Sequence, residues 1–169
     1  ETEFVPYKNG VVCAKMNHMS YIDGTGTVVW EIDTAIVDPI LKVDGNYILI
    51  AEKGRNKICL YIDNKLQYDV DDPDTVMSAE LSSNGDVVVV TDKSSYRGGI
   101  SVYNKSGEQI FSWASGSDAV ICADISAASR SVAVALLNSD VTAKTTVQLF
   151  NVNETESYAK IEMPDTVVY

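Results

Sequence analysis

Histidine is almost absent from this sequence of 169 residues, and cysteine is scarce. The single histidine, His18, falls in the predicted turn between the second and third strands, and neither a catalytic triad nor a multi-histidine metal site can be built around it. The cysteines Cys13, Cys59 and Cys122 are odd in number, form no CxxC pair and lie among apolar residues. This pattern argues against a disulfide framework and predicts buried thiols. We therefore expect no catalytic residues and no cofactor-binding residues in this chain.

Basic residues are also few, and the apolar runs are short. The 13 Lys and Arg residues are scattered, and 24 Asp and Glu residues bring the net charge to −11. Phosphate binding needs clustered basic residues, so nucleic acid is not an expected partner. The longest apolar run, from Val132 to Leu137, is far shorter than the roughly 20 residues that span a bilayer. We expect no membrane contact by this segment itself.

What the sequence does contain is a unit of about 40 residues that occurs four times. No stretch keeps a helical apolar period for three turns, and the apolar runs are short, β-branched and bounded by turn residues. The third predicted strand of each unit ends in an aromatic residue followed by a polar turn, at Tyr21, Tyr61, Tyr103 and Phe150. The four units cover residues 3–33, 37–70, 76–114 and 119–161.

A repeat of this length with four strands is typical of a β-propeller blade. Stacked blades bury both faces of each sheet, which explains why second strands such as Val87 to Val90 are continuously apolar. The turns Asn9-Gly10, Asp44-Gly45 and Asn84-Gly85 are of the kind that supplies the positive φ angles of tight hairpins. We predict an all-β chain, 1–169, with about four four-stranded antiparallel blades in one β-propeller-like domain. A β-sandwich would not repeat the aromatic position, and a β-solenoid would have shorter repeats.

The C-terminal residues 164–169 begin with Pro164-Asp165-Thr166-Val167, the same four residues as Pro73 to Val76, which lead into the third unit. This match predicts the first strand of a further blade and favours a fragment of a larger propeller. The alternative is a closing strand that completes a four-bladed ring. In a fragment, the two end blades would each expose an apolar face, and we expect self-association through these faces.

Two groups of residues are candidates for binding. Asp69, Asp71, Asp72 and Asp74 cluster between the second and third units, and oxygen-rich loops of this kind can hold calcium. Their spacing does not match an EF-hand, so a solvated acidic turn is the favoured interpretation. Tyr96 and Arg97 lie together in a longer loop, and this pair of residue types is enriched at protein interfaces.

The segment from Tyr21 to Glu31, with Asp23-Gly24 and Trp30, resembles the blade motif of pyrroloquinoline-quinone-type propellers. Later units repeat it in degraded form, and WD-like repeats are a more distant resemblance because no Gly-His or Trp-Asp pair stands at blade positions. The chain also resembles an uncharacterised Gram-positive family with one membrane helix and an extracytoplasmic propeller-like domain of unknown function. This resemblance implies an extracytoplasmic location in a membrane-anchored parent protein. The quinone cofactor is not implied, because no residues match its site.

Two functions are consistent with these observations. The favoured one is a non-catalytic binding or scaffold module that engages a protein or cell-wall component through its loops. The alternative is part of a propeller enzyme, a hydrolase or lyase, whose site needs blades absent from this chain.

Overall fold

The structure, a computed structural model, describes residues 2–128, 130–138, 143–164 and 166. These residues form sixteen β-strands and no helix. The strands are β1 Glu3–Tyr7, β2 Gly10–Lys15, β3 His18–Ile22, β4 Val28–Asp33, β5 Pro39–Asp44, β6 Tyr47–Glu52, β7 Lys57–Ile62, β8 Lys65–Asp71, β9 Thr75–Leu81, β10 Val87–Asp92, β11 Gly99–Tyr103, β12 Gln109–Ala114, β13 Ala119–Ser126, β14 Ser131–Asn138, β15 Lys144–Asn151 and β16 Ser157–Pro164.

Each run of four strands is one antiparallel sheet in which neighbours in sequence are neighbours in space. We call these sheets blades 1 to 4, in chain order. The first strands β1, β5, β9 and β13 contact one another in turn, so they form the inner edge of the array. The all-β architecture and the four-stranded blades predicted from the repeat are confirmed.

Two of the three glycines predicted to have a positive φ angle in a hairpin turn do have one. Gly45 and Gly85 have φ angles of 58° and 84°, a region that a residue without a Cβ enters at no steric cost. Gly10 does not, and in its hairpin the positive φ falls on Lys8, at 50°. Gly10 is required for another reason, because a Cβ there would lie 2.0 Å from the carbonyl oxygen of Ile22.

Three apolar clusters lie between consecutive blades, and each cluster combines the facing sides of two sheets. Strand alternation supplies these faces, since successive side chains point to opposite sides. The cluster between blades 1 and 2 includes Val12, Met19, Leu41 and Ile50. The next includes Leu49, Leu60, Ala79 and Val89, and the last includes Val88, Ile100, Val134 and Phe150. In the described part of the chain no such cluster joins blade 4 to blade 1, so the four blades form an open array and not a closed ring.

Charged side chains link the blades at the end opposite to the inter-blade connections. Asp63 of blade 2 accepts hydrogen bonds from the Tyr7 hydroxyl at 2.5 Å and the Lys8 ammonium at 2.7 Å. These two contacts hold the pKa of the Asp63 carboxyl below its usual range. Asp86 of blade 3 is almost fully buried and accepts a hydrogen bond from Arg130 Nε of blade 4 at 3.1 Å. Each of these polar contacts makes the packing of two neighbouring blades more specific, while the burial of apolar side chains supplies most of its stability.

The last strand is longer than the repeat predicts. β16 ends at Pro164, which pairs with Lys144, so this proline completes blade 4 and does not begin a new strand. The reason is the length of the partner strand, since seven of its eight residues, Lys144 to Phe150, pair along β16. Beyond it, Thr166 is held through its carbonyl oxygen by the Thr145 hydroxyl at 2.6 Å. Asp165 and residues 167–169 lie outside the described residues, so the additional blade remains a prediction.

Across the described residues, no helix has the length and apolar character needed to cross a bilayer.

Candidate interaction face

The turns between second and third strands meet the inter-blade connections at one end of the blades. We call this end the upper face; it comprises the turns 16–17, 53–56 and 93–98 with the connections 34–38, 72–74 and 115–118. In an antiparallel meander these two kinds of loop necessarily emerge on the same side. The opposite end, with the remaining hairpin turns, is the lower face.

Backbone hydrogen bonds tie each upper turn to the chain that enters the next blade. The Gly54 amide donates to the Val76 carbonyl at 2.8 Å, and the Val76 amide donates to the Arg55 carbonyl at 2.6 Å. One blade further on, the Val120 amide donates to the Arg97 carbonyl at 3.1 Å, and the Arg97 amide donates to the Ser115 carbonyl at 2.8 Å. The upper loops are therefore fixed by the sheets beneath them, which makes the face a rigid platform.

Asp72 is the buried centre of this platform. It is 0% exposed, and its Oδ2 accepts a hydrogen bond from the Tyr103 hydroxyl at 2.6 Å. Its Oδ1 accepts one from the Asp74 amide at 2.9 Å. Burial, together with the hydrogen bond to Asp72, raises the pKa of Tyr103 well above its usual range. One carboxylate thus binds the connection between blades 2 and 3 to the third strand of blade 3.

The other three aspartates of the predicted acidic cluster are paired with lysines. Asp69 and Asp71 lie on β8 and face Lys57, whose Nζ is 2.6 Å from one carboxylate and 3.3 Å from the other. The hydrogen bond to Asp69 is the main cause of a raised Lys57 pKa. Asp74 lies 3.3 Å from Lys93 Nζ. Among the described residues, no three His, Cys, Asp or Glu side chains are grouped as metal ligands. Calcium at this connection stays a prediction.

A polar cavity of about 350 Å³ opens on the upper face between blades 2 and 3. Its walls combine one guanidinium with carboxylates, hydroxyls and an amide, and they include Arg55, Asn56, Asp74, Asp92 and Ser94. Arg55 Nε lies 3.5 Å from Oε1 of the buried Glu52 carboxylate. The same oxygen accepts a hydrogen bond from the Val37 amide at 3.1 Å. Such walls are suited to hydrogen-bonding a polar group and not to enclosing an apolar ligand.

The two predicted interaction residues lie on the loop beside this cavity. Tyr96 is 50% exposed, and the Arg97 side chain is exposed although its backbone is held on both sides. The loop begins at Lys93, and its residue Ser94 lines the cavity. The loop that carries the predicted pair therefore also contributes, through Ser94, to a polar cavity that sequence reasoning missed. The repeat itself was the available signal, because Arg55 and Ser94 occupy the same turn in successive units.

His18 lies elsewhere, at the first position of β3 and not in the turn that precedes it. Its two ring nitrogens are 3.6 Å from a Glu31 oxygen and 3.7 Å from an Asp33 oxygen, both on the neighbouring strand β4. These are cross-strand contacts at the outer edge of blade 1.

Comparisons with known proteins agree with this architecture. A family model described as a family of unknown function (DUF5711) matches residues 1–168. No curated protein matches the chain. Among solved structures, BamB from Moraxella catarrhalis has a TM-score of 0.67 and 14% identity, over 94% of this chain and 47% of its own.

Two further structures show the same fold. The complex of KlAtg21 with the coiled coil of AgAtg16 gives a TM-score of 0.68 at 14% identity, over 95% of this chain and 54% of the other. The WD40 domain of Neurospora crassa Pan2 gives 0.60 at 14%, over 94% and 50%. The chain spans about half the length of the solved structures it matches. At such identities the likeness establishes the fold, and the blades are those of a β-propeller.

Proposed function

The chain belongs to the DUF5711 family of unknown function, and we propose that it serves there as a non-catalytic binding module whose upper face engages a protein or a component of the cell envelope. The observation that carries this proposal is the position of Tyr96 and Arg97. Both are exposed on a loop fixed by backbone hydrogen bonds, and Ser94 of the same loop lines a polar cavity.

This arrangement has the composition of a binding surface. Tyrosine and arginine are the residue types that most often dominate interface energetics, and a preformed loop loses little conformational entropy on binding. The cavity adds hydrogen-bonding groups of both signs, the guanidinium of Arg55 and the carboxylates of Asp74 and Asp92. A partner that places an acidic group near Arg97 and a basic group near Asp92 would satisfy both signs.

The solved structures support protein recognition by this fold in a general way. KlAtg21, which shares the blade architecture, was solved in complex with the coiled coil of AgAtg16. For the present chain, binding to a protein or cell-wall component is our proposal.

The proposal also includes an extracytoplasmic location and a repeat of the pyrroloquinoline-quinone type. The resemblance of the segment from Tyr21 to Glu31 to pyrroloquinoline-quinone-type blades, and of the chain to an extracytoplasmic propeller-like family, supports display outside the cell on a membrane-anchored parent. Self-association through the open faces of blades 1 and 4 is also proposed.

Site-specific photo-crosslinking tests the upper face. A photoreactive phenylalanine replaces Tyr96 in one variant and Leu66 in another, because Leu66 is equally exposed, at 52%, and follows a lower-face turn on β8. Each variant is incubated with purified Gram-positive cell-wall sacculi and with detergent-extracted envelope proteins, then irradiated. We expect specific adducts from position 96 that disappear when Arg97→Ala is added, and none from position 66.

Equal labelling from both positions, or adducts insensitive to Arg97→Ala, would contradict the proposal. Adducts with sacculi alone would identify a cell-wall ligand, and adducts with extracted proteins alone a protein partner.

A further inference from the structure

The polar cavity between blades 2 and 3 contains one carboxylate whose charge is not balanced. Asp92 lies in the cavity wall, and its carboxylate has no hydrogen bond or ion pair within the part of the chain that the structure describes. The two cations at the cavity already have partners. Arg55 Nε lies 3.5 Å from Glu52 Oε1, and Lys93 Nζ lies 3.3 Å from Asp74 Oδ2. These pairs offset one another, so the negative charge of Asp92 remains.

A β-bulge determines which residue stands beside Asp92. The register of β9 and β10 shifts by one residue after Val90, and Met77 of β9 has no partner in the ladder. Without this shift Asp92 would lie opposite Val76, whereas in the structure it lies opposite Thr75. Directly opposite side chains share a face of the sheet, with Cβ atoms about 5 Å apart. The bulge therefore brings a hydroxyl beside the Asp92 carboxylate in the cavity wall, and bulges that re-aim a side chain are over-represented next to active sites.

The other polar groups in the wall are mainly hydrogen-bond acceptors. The Asn56 side chain donates through Nδ2 to the Asp72 carbonyl at 3.2 Å, and a carbonyl oxygen can only accept, so Oδ1 of Asn56 is left as an acceptor. The hydroxyl oxygens of Thr75 and Ser94 can each accept as well. A ligand that matches these walls must therefore carry hydrogen-bond donors and a positive charge.

Three other classes of ligand fit these walls poorly. An anion would be repelled by Asp92 and would find both cations already paired. Calcium takes six to eight oxygen ligands, and here Arg55 and Lys93 stand beside the carboxylates. A guanidinium presents a rigid planar fork that matches a single carboxylate, whereas these acceptors are distributed over β9, β10 and two turns. A primary ammonium has one charge and three rotatable donors on a flexible stem.

We propose that the cavity binds a primary ammonium group at the end of an aliphatic chain, such as a lysine side chain of the partner. Asp92 is its counter-ion, and Asn56, Thr75 and Ser94 accept its hydrogen bonds. The volume of about 350 Å³ accommodates a side chain of this size. The inference rests on the proposed function, because the cavity belongs to the upper face, and it names the chemical group that this face recognises. A protein lysine and a free amino group of the cell wall share this chemistry.

Titration of the ¹⁵N-labelled protein with Nα-acetyl-lysine methylamide, followed by NMR, tests the proposal without any partner. We expect a dissociation constant on the order of 1 mM, with shifts in the backbone amides of Thr75 and Asp92 and in the side-chain amide of Asn56. Two matched ligands serve as controls. The norleucine analogue lacks the ammonium, and the Nε-acetylated analogue has lost its charge, so both should bind at least about tenfold more weakly.

Three variants assign the site. Asp92→Asn preserves the shape of the side chain and removes its charge, so binding should weaken at least about tenfold. Asp44→Asn makes the same change in net charge at the lower-face end of β5, where the Asp44 side chain has no partner among the described residues, and should leave binding unchanged. Lys93→Gln should strengthen binding about threefold or more, because Asp74 then loses its cation. Circular dichroism verifies the folding of each variant.

No shift at about 20 mM ligand, or equal affinity for the Nε-acetylated analogue, would overturn the proposal. Equal affinity of Asp92→Asn and the unchanged protein would also overturn it. Tighter binding of Nα-acetyl-arginine methylamide would assign the cavity to a guanidinium, and displacement of the lysine analogue by an equal concentration of calcium chloride would assign it to a metal ion. Either result would contradict the ammonium assignment.

Acetylation of free amino groups identifies the source of the ammonium in the crosslinking experiment at position 96. The sacculi and the extracted proteins are acetylated separately before irradiation. Adducts lost on acetylation of the sacculi would indicate a cell-wall amine, and adducts lost on acetylation of the proteins a lysine. Adducts that survive both treatments would overturn the inference and leave the proposed binding module standing. Failure of crosslinking together with a positive titration would instead contradict the proposed partner and retain the ammonium site.

Discussion

The replacement Tyr103→Phe removes a single hydroxyl from a contact that is buried on both sides. The hydroxyl donates to Asp72 Oδ2 at 2.6 Å, and the two residues are 4% and 0% exposed. Asp72 keeps the hydrogen bond from the Asp74 amide through its other oxygen. The variant therefore leaves a folded protein in which one carboxylate oxygen has lost its donor away from solvent.

The expected loss follows from the charge of the acceptor. A hydrogen bond to a charged group contributes roughly 1.5–3 kcal/mol, and a buried acceptor without its donor bears the desolvation cost. We expect the free energy of unfolding to fall by about 2 kcal/mol. For a domain of this size the corresponding decrease in Tm is about 4–8 °C.

Tyr68→Phe is the matched control, since it removes the same atom from an equally buried tyrosine. Tyr68 is 7% exposed, and its hydroxyl has no hydrogen-bond partner within the described residues. Removing an unpaired buried hydroxyl should leave stability unchanged or raise it by up to about 1 kcal/mol. Urea unfolding followed by circular dichroism measures both variants. Equal losses in the two variants, or no loss in Tyr103→Phe, would refute the assignment of Asp72 as the buried centre of the upper face.

Two further predictions concern the blade boundary and the pH response. Arg130→Met should destabilise the protein by about 2 kcal/mol in urea unfolding, because it leaves the buried carboxylate of Asp86 without its cation, and a matched Asp86→Asn variant should reduce that penalty. Unchanged stability in Arg130→Met would mean that this link between blades 3 and 4 is dispensable. Burial raises the pKa values of Cys59, Tyr68 and Tyr103, so the unfolded chain loses these protons first as pH rises. Stability should hold below about pH 9 and then fall by about 1.4 kcal/mol per pH unit for each group that titrates only in the unfolded state; urea midpoints that stay flat from pH 9 to 11 would contradict this.

Local chemistry explains why so much of the blade could be predicted. The strands follow from short apolar runs, and the hairpins from residues such as Gly45 and Gly85 whose positive φ is a property of the residue itself. The loop position and exposure of Tyr96 and Arg97 agree with the structure, and their part in binding stays a prediction. Gly10 shows the limit of this reasoning, because its role depends on how closely Ile22 approaches and not on its own φ.

The acidic connection shows what a pattern alone could not decide. Four aspartates lie close together in sequence, at positions 69, 71, 72 and 74. In the structure Asp72 is buried against Tyr103, whereas the other three pair with lysines on β7 and on the next upper-face turn. The charge, spacing and composition of this segment would be the same if another of the four aspartates were the buried one. Only the packing of blade 2 against blade 3 determines which carboxylate is desolvated.

By itself, then, the sequence determined that this chain consists of repeated four-stranded antiparallel units, because strand alternation and turn conformation are properties of neighbouring residues. The tertiary structure decided the rest: the open array, the polar cavity between blades 2 and 3, and the burial of Asp72 against Tyr103. These features depend on residues that are far apart in the chain and become neighbours only when one sheet packs against the next.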